Sequence, residues 1–167
     1  MLNLRKFLAD VQACLGFPYV SPGSNDERGI DCSGLLVRAY KMQGAKIYHG
    51  SNTIYRQYCS RKGPIGSVND LQPGYAVFKW NPNTPAKFND TLGDMQHIGV
   101  VVSVSPLRII HASSVAGKAV EDTKLSTWKY WGRLKDVDYE LTDGQTDSSI
   151  DTDNEKSAGY EDAEDEG

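Results

Sequence analysis

The sequence has few of the residues that build disulfide frameworks or structural metal centres. Among its 167 residues are three cysteines, Cys14, Cys32 and Cys59, and three histidines. The cysteines are odd in number and no two have CxxC spacing, so neither a disulfide framework nor a four-cysteine zinc site is expected. Each cysteine is therefore either a packing residue or a reactive thiol, and for Cys14 we expect packing.

Long apolar runs are also absent. No stretch approaches the roughly 20 apolar residues that a membrane-spanning helix needs. The N-terminal segment, MLNLRKFLADVQACLGFPYV, is interrupted by Arg5, Lys6 and Asp10, and this does not fit the apolar core of a secretory signal peptide. The sequence therefore predicts no membrane span and a protein made in the cytoplasm without an export route of its own.

The end of the chain has few apolar residues and almost no basic charge. Residues 140–167 contain eleven acidic residues and one lysine, and such a segment cannot bury enough apolar surface to offset the entropy of ordering. We expect one compact domain over residues 1–139, followed by a disordered acidic tail or linker over 140–167.

The charge of residues 1–139 has the opposite sign. This part holds seventeen Lys and Arg against eleven Asp and Glu, a formal charge of +6. The excess favours an anionic partner such as a cell-wall polymer, a nucleic acid or lipid headgroups, while an ordinary solvated surface explains it equally well. No arginine–aromatic pattern typical of nucleic-acid recognition is present, so no nucleic-acid partner is predicted. The oligomeric state stays open.

Three helices are predicted in the first part of the chain. Apolar residues at helical spacing predict an amphipathic helix over 2–15, ended by a glycine. A second helix is expected over 32–43 with Asp31 as its N-cap. A third is expected from residue 51 to about 61, with Cys59 as a packing residue.

The second part of the chain predicts strands. β-branched and aromatic runs bounded by turn residues are found at 75–80, 97–104 and 107–112, with weaker candidates at 118–122 and 132–137. Helices followed by strands favour an α+β domain in which N-terminal helices pack on an antiparallel sheet. The long polar loop within 80–95 is typical of a functional or mobile segment.

Cys32 stands in a setting that favours a thiolate. Asp31 as N-cap puts Cys32 in the first helical turn, where unpaired N–H groups and the helix dipole favour an anion. Such a position lowers a thiol pKa, and the thiolate is the nucleophile. The carboxylate of Asp31 opposes this effect unless it is turned away to cap the helix or to bind substrate.

Two of the three histidines are candidate partners of Cys32. His97 opens one predicted strand and His111 ends the next, so pairing of these strands would bring the two imidazoles together. One could then accept the proton of Cys32 while the other orients it, as in covalent catalysis. Structural histidines at strand ends, or a zinc site built from the same three residues, are the alternatives. His49, in the loop YHGSN, is interpreted as a surface residue.

Four blocks of the sequence together resemble a known family. The blocks DCSGLLVRAY, LQPGYAVF, HIGVVV and IIHASS occur in the order found in the NlpC/P60 cysteine peptidases, which have a papain-like fold and cleave peptides of bacterial cell walls. The resemblance covers about residues 17–137. It implies that Cys32 is the nucleophile, His97 the general base and acid, and His111 the residue that orients His97.

The resemblance also implies substrate-binding residues and a reaction. Tyr19 is expected to line the active site, and Asp31 and Ser33 to hold the end of the stem peptide. The implied function is a cysteine endopeptidase that hydrolyses peptidoglycan stem peptides, at the γ-D-glutamyl to diamino-acid bond, without metal or organic cofactor. The alternatives are an N-acetylmuramoyl-L-alanine amidase and a non-catalytic wall-binding or phage-tail module.

Three stretches depart from the family pattern. Val20 follows Tyr19 where relatives have Trp-Gly-Gly, Tyr75 stands where they have the aspartate of Pro-Gly-Asp, and the loop within 80–95 is longer. All three lie at the rim of the expected cleft, so substrate choice is affected more than chemistry. The missing leader, unusual for secreted relatives, motivates the hypothesis of a phage or prophage wall hydrolase acting during lysis or from the virion.

Overall fold

The computed structural model describes residues 1–140, and the remainder of the predicted acidic tail lies outside the described residues. The helices of this part are α1 (Leu4–Gln12), α2 (Gly34–Lys41) and α3 (Ser51–Gln57), with a short 3₁₀ helix at Val68–Asp70. The strands are β1 (Leu2–Asn3), β2 (Cys59–Pro64), β3 (Ala76–Asn81), β4 (Asp94–Val104), β5 (Leu107–Ser113), β6 (Lys118–Asp122), β7 (Tyr130–Leu134) and β8 (Val137–Asp138). None of the helices within residues 1–140 has the length and hydropathy needed to cross a membrane.

The first helix is shorter than its predicted range of 2–15. Leu2 and Asn3 form β1, which pairs in parallel with β8. The side chain of Asn3 accepts a hydrogen bond from the Lys6 N–H at 2.8 Å and so caps α1. The apolar face of α1 buries Phe7, whose ring meets Tyr40 of α2 edge-on at 6.2 Å, so tertiary packing decides where this helix lies.

The prediction for the third helix was wrong at its C-terminal end. α3 ends at Gln57, and residues 59–64 form β2 at the edge of the sheet. β2 pairs antiparallel with β7, where Cys59 lies opposite Leu134. Because this pairing joins segments about seventy residues apart, the local pattern of residues 51–61 could not reveal it. Cys59 is buried, as expected of a packing residue.

One antiparallel sheet of six strands, in the order β2-β7-β3-β4-β5-β6, forms the centre of the fold. Side chains alternate between its two faces. Phe78, Ile98 and Ile110 contribute to the larger core, which also contains the buried residues of α1, α2 and α3. Val77 and Ile109 contribute to a smaller core that contains Trp128. The α+β fold class predicted from the sequence is therefore confirmed.

The polar loop between β3 and β4 is tied to the body of the domain. Trp80 Nε1 donates a hydrogen bond to the carbonyl of Leu92 at 2.8 Å. Arg56 of α3 contacts both carboxylate oxygens of Asp90 at 2.8 and 2.9 Å and donates to the carbonyl of Gly93 at 2.8 Å. These bonds hold the loop against α3.

Candidate active site

Cys32 lies in the turn directly before α2 and is buried. The assigned helix begins at Gly34, two residues later than predicted, so Cys32 lies between the Asp31 cap and the first helical residue. Asp31 closes the preceding turn: its Oδ1 accepts from the Gly34 N–H at 2.8 Å, and its carbonyl accepts from the Leu35 N–H at 3.3 Å. The carboxylate therefore caps the chain three residues ahead, which is what an N-cap side chain does.

His49 is not a surface residue, which corrects the interpretation of its loop. It is 4% exposed, and its Nε2 lies 2.7 Å from Asp31 Oδ1, the oxygen that also accepts from Gly34. Both side chains of this pair are 6% exposed. The sequence lacks a signal for the contact, since an isolated histidine in a Gly- and Ser-containing loop has no periodicity. His49 thus belongs to the surroundings of Cys32.

His97 and His111 come together as their strand positions predict. β4 and β5 pair antiparallel, with Val100 opposite Ile110, and this register brings His97 Nε2 to 2.9 Å from His111 Nδ1. The two rings are nearly perpendicular, with centroids 5.1 Å apart. The sheet therefore supplies a hydrogen-bonded imidazole pair.

Asp122 and Trp128 complete this cluster, and neither was a candidate from the sequence. His111 Nε2 lies 3.2 Å from Asp122 Oδ1, an ion-pair distance, and Trp128 Nε1 donates to Asp122 Oδ2 at 3.0 Å. The indole stacks on His97, with centroids 5.6 Å apart and an interplanar angle of 25°. It meets the His111 ring edge-on at 5.1 Å. Strand pairing of β5 with β6 was the available signal for Asp122.

Burial controls the charge of both imidazoles. It is the largest of the effects that lower the pKa of His97 to about 3, followed by repulsion from His111 when that ring is protonated and from Lys79, with Asp122 acting in the opposite direction. Burial also lowers the pKa of His111, again against Asp122. Both imidazoles are therefore neutral near pH 7, as a proton acceptor requires.

The other two cysteines have unfavourable surroundings for a thiolate. Burial raises the pKa of Cys14 to about 11 and that of Cys59 to about 12. Because the thiolate is the reactive form, these two side chains are poor nucleophiles near neutral pH. Both act as packing residues of the larger core.

Of the three predicted substrate-binding residues, Asp31 and Ser33 flank Cys32 in the sequence, and Tyr19 interacts with it electrostatically. The pKa of Tyr19 is raised by burial first and then by the charges of Cys32 and Asp31, so its hydroxyl is within electrostatic range of both. Ser33 is 1% exposed. Asp31 Oδ2 lies 3.4 Å from Ser21 Oγ. The substrate-binding roles of Tyr19, Asp31 and Ser33 stay predictions.

No cluster suited to a metal ion is found within residues 1–140: no three His, Cys, Asp or Glu side chains there are arranged as ligands. The zinc alternative for Cys32, His97 and His111 therefore has no support from the geometry of these residues.

Comparison with known sequences gives one informative relative. No family model matches the chain. The probable endopeptidase YafL of Escherichia coli (strain K12) is 40% identical over 65 residues, which cover 38% of this chain and 25% of that protein. The match therefore spans about a quarter of the length of this curated relative.

Solved structures define the class of fold. The NlpC/p60 domain of the peptidoglycan hydrolase SagA has a TM-score of 0.56 at 22% identity, covering 80% of this chain and 100% of that domain. An NlpC/P60 family protein from Bacillus cereus reaches 0.59 at 18% identity, covering 78% and 40% of the two chains. The P60 domain of an antigen of M. avium subspecies paratuberculosis reaches 0.55 at 21% identity, covering 78% and 93%.

These similarities place the chain among papain-like α+β folds with helices packed on an antiparallel sheet. Within that class it has the NlpC/P60 fold, as its sequence blocks implied.

Proposed function

We propose that this protein is a cysteine peptidase that hydrolyses amide bonds in peptidoglycan stem peptides. The observation that carries the proposal is the contact of His97 Nε2 with His111 Nδ1 in a fold that also holds Cys32 at the start of α2. The names of the relatives, an endopeptidase and a peptidoglycan hydrolase, support the same class of reaction.

The reaction begins with proton transfer from Cys32 to His97. The thiolate attacks the carbonyl carbon of the scissile amide, and the carbonyl π electrons move to its oxygen, where backbone N–H groups stabilise the tetrahedral oxyanion. As the C–N bond breaks, the imidazolium of His97 gives its proton to the leaving nitrogen, and the acyl group stays on sulfur as a thioester. His97 then takes a proton from water, whose oxygen displaces the thiol and releases the carboxylate.

The bond we propose is the γ-D-glutamyl to diamino-acid link of the stem peptide. Tyr19 and the two residues that flank Cys32, Asp31 and Ser33, would hold the end of that peptide. The alternative within this class is cleavage between N-acetylmuramoyl and L-alanine. Mass spectrometry of digested wall distinguishes them, because the peptidase creates a new glutamyl carboxylate and the amidase frees the lactyl group of the sugar.

The test compares wall solubilisation by wild type and Cys32→Ala on purified peptidoglycan, with Cys14→Ala as a matched control at another buried cysteine. Clearing should be lost in Cys32→Ala and kept in Cys14→Ala. Iodoacetamide near neutral pH should label Cys32 faster than Cys14 or Cys59, whose thiol pKa values are raised by burial. Equal clearing by Cys32→Ala would refute the nucleophile, and wall binding without solubilisation by any variant would favour a binding module.

A further inference from the structure

A line of polar contacts continues beyond the two histidines to a carboxylate. It runs from His97 on β4 through His111 on β5 to Asp122 at the end of β6, with distances of 2.9 and 3.2 Å. Strand pairing fixes the position of Asp122 relative to His111. In the β5–β6 register His111 lies opposite Val120, and Asp122 follows Val120 by two residues on the same face of the sheet. Asp122 is therefore held beside the imidazole that orients His97.

The order of atoms in this line determines which nitrogen carries each proton. A neutral imidazole has one N–H and one lone pair. The 3.2 Å contact does not have hydrogen-bond geometry, and the buried His111 Nε2 has no hydrogen-bond partner. A lone pair at Nε2 would face the negative carboxylate of Asp122 and be repelled, so this contact favours the proton at Nε2, which leaves Nδ1 as an acceptor. His97 Nε2 must then carry the proton that it shares with His111 Nδ1. The Nδ1 lone pair of His97 is left unprotonated and able to act as a base.

Trp128 holds Asp122 in the required orientation. The indole N–H can only donate, and it occupies Asp122 Oδ2 at 3.0 Å, so that Oδ1 faces His111. The same indole lies against both imidazole rings. One side chain therefore packs the pair and orients the carboxylate.

We propose that Asp122 is a positioning residue that fixes the tautomers of His111 and His97, so that His97 Nδ1 is the proton acceptor of the site. The effect of Asp122 on the reaction rests on the proposed peptidase function. The tautomers of His111 and His97 are a property of the folded protein and do not depend on that function. Asp122 is distinct from the Cys-His-His set, since it contacts His111 and acts through that residue.

The charges around the pair agree with this role. Lys79 of β3 lies with its ammonium 4.9 Å from the centre of the Trp128 ring, and it lowers the pKa of both imidazoles, while Asp122 raises it. Asp122 thus stabilises the imidazolium that forms when His97 takes a proton, against the effect of Lys79.

The first test is the tautomer state of the protein without substrate. Long-range ¹H–¹⁵N correlation spectra of ¹⁵N-histidine-labelled protein at pH 7 distinguish Nδ1–H from Nε2–H, and His49→Gln assigns the third histidine. We expect both His97 and His111 as Nε2–H tautomers in the wild type. Observation of Nδ1–H on either residue in the wild type overturns the proposal, whether or not the protein cleaves peptidoglycan.

The second test is Asp122→Asn, which keeps the shape but not the acceptor. Trp128 requires the amide oxygen, so the amide NH₂ faces His111 Nε2 and forces the proton to Nδ1 of His111, and in turn to Nδ1 of His97. The spectra should show both tautomers reversed. Glu121→Gln, the neighbouring carboxylate that pairs with Arg108 at 2.8 Å, should leave them unchanged. Wild-type tautomers in Asp122→Asn would contradict the proposal.

Kinetics separates positioning from a structural effect. Asp122→Asn should lower kcat by about 10²- to 10⁴-fold with little change in KM, as a reversed tautomer does in Ser-His-Asp triads. In a His111→Ala background the same substitution should change kcat less than about threefold, because the residue through which Asp122 acts, His111, is absent. If kcat of the double variant falls by the product of the two single-variant losses, Asp122 does not act through His111. If no variant has activity, the proposed function fails while the tautomer result still decides this inference.

Discussion

At the scale of single residues, Asp31 and His49 determine the setting of Cys32. The carboxylate beside Cys32 was expected to oppose a thiolate unless it was turned away. It is turned away, since Oδ1 accepts from the Gly34 N–H and contacts His49 Nε2 at 2.8 and 2.7 Å. A buried polar group needs such partners, because leaving it without them costs free energy. His49 is therefore a partner of Asp31 and not a loop residue facing solvent.

Removal of His49 tests this interpretation. His49→Ala leaves the buried Asp31 carboxylate with fewer partners, so we expect the free energy of unfolding to fall by about 1–3 kcal/mol. Urea denaturation at pH 7 measures it. The control is Lys46→Ala in the same loop, an exposed residue for which a change within about 0.5 kcal/mol is expected. Equal stability of the two variants would contradict a structural role for the His49–Asp31 pair.

At the scale of elements, β4 carries His97 and also, at Gly99, leaves room for the Trp128 indole to pack beside that histidine. Gly99 lies two residues after His97, and a Cβ at this position would stand 2.9 Å from Trp128 Cη2 and 3.2 Å from His111 Cβ. A strand glycine often marks such a close approach. The absence of a side chain at Gly99 therefore allows the indole to pack on the imidazole pair.

A methyl group at this position should displace the indole. For Gly99→Ala we expect a loss of about 1–3 kcal/mol in stability from overpacking, together with slower wall hydrolysis because Trp128 shifts from both histidines. Thermal unfolding and a dye-release assay on labelled peptidoglycan measure the two effects. Gly63→Ala in β2 is the matched control, since its Cβ would meet Trp131 at an ordinary 3.6 Å. Similar losses in both variants would speak against the specific contact with Trp128.

At the scale of the whole molecule, burial of the histidines links the site to stability. The folded protein holds the pKa of His97 at about 3, whereas the ordinary value is 6.5. Below pH 6.5 the unfolded chain therefore binds a proton that the folded chain does not, and stability falls as the pH falls. The lowered pKa of His111 acts in the same direction.

This linkage predicts a pH dependence in a defined window. The free energy of unfolding should fall between pH 6.5 and 4.5, by at most about 1.4 kcal/mol per pH unit for each histidine. The lowered pKa of Asp90, about 2, contributes only below its ordinary value of 3.8. Urea denaturation across this window should give a shallower slope for His97→Gln than for the wild type. An unchanged slope would mean that His97 is not buried as a neutral imidazole.

The sequence predicted the elements whose pattern is local. The α+β class, the strand at 118–122 and the buried stripe of α2 follow from apolar spacing and turn residues, and they are confirmed. The prediction failed where the structure of a segment depends on a partner far away in the sequence, as at residues 59–64, which pair with β7. The start of α2 was misplaced because the Asp31 carboxylate bonds ahead to Gly34 and forms a turn before the helix.

The candidate site also has contacts that the sequence predicted and contacts that it did not. The spacing of His97 and His111 on consecutive strands was sufficient to predict their contact, because a short turn leaves the strands little freedom in pairing. The residue order alone predicted a cysteine close to the start of a helix and two histidines on neighbouring strands. Only the tertiary structure decided that His49 is buried against Asp31 and that Asp122 and Trp128 surround the imidazoles, since those contacts depend on side chains brought together by burial and not by sequence spacing.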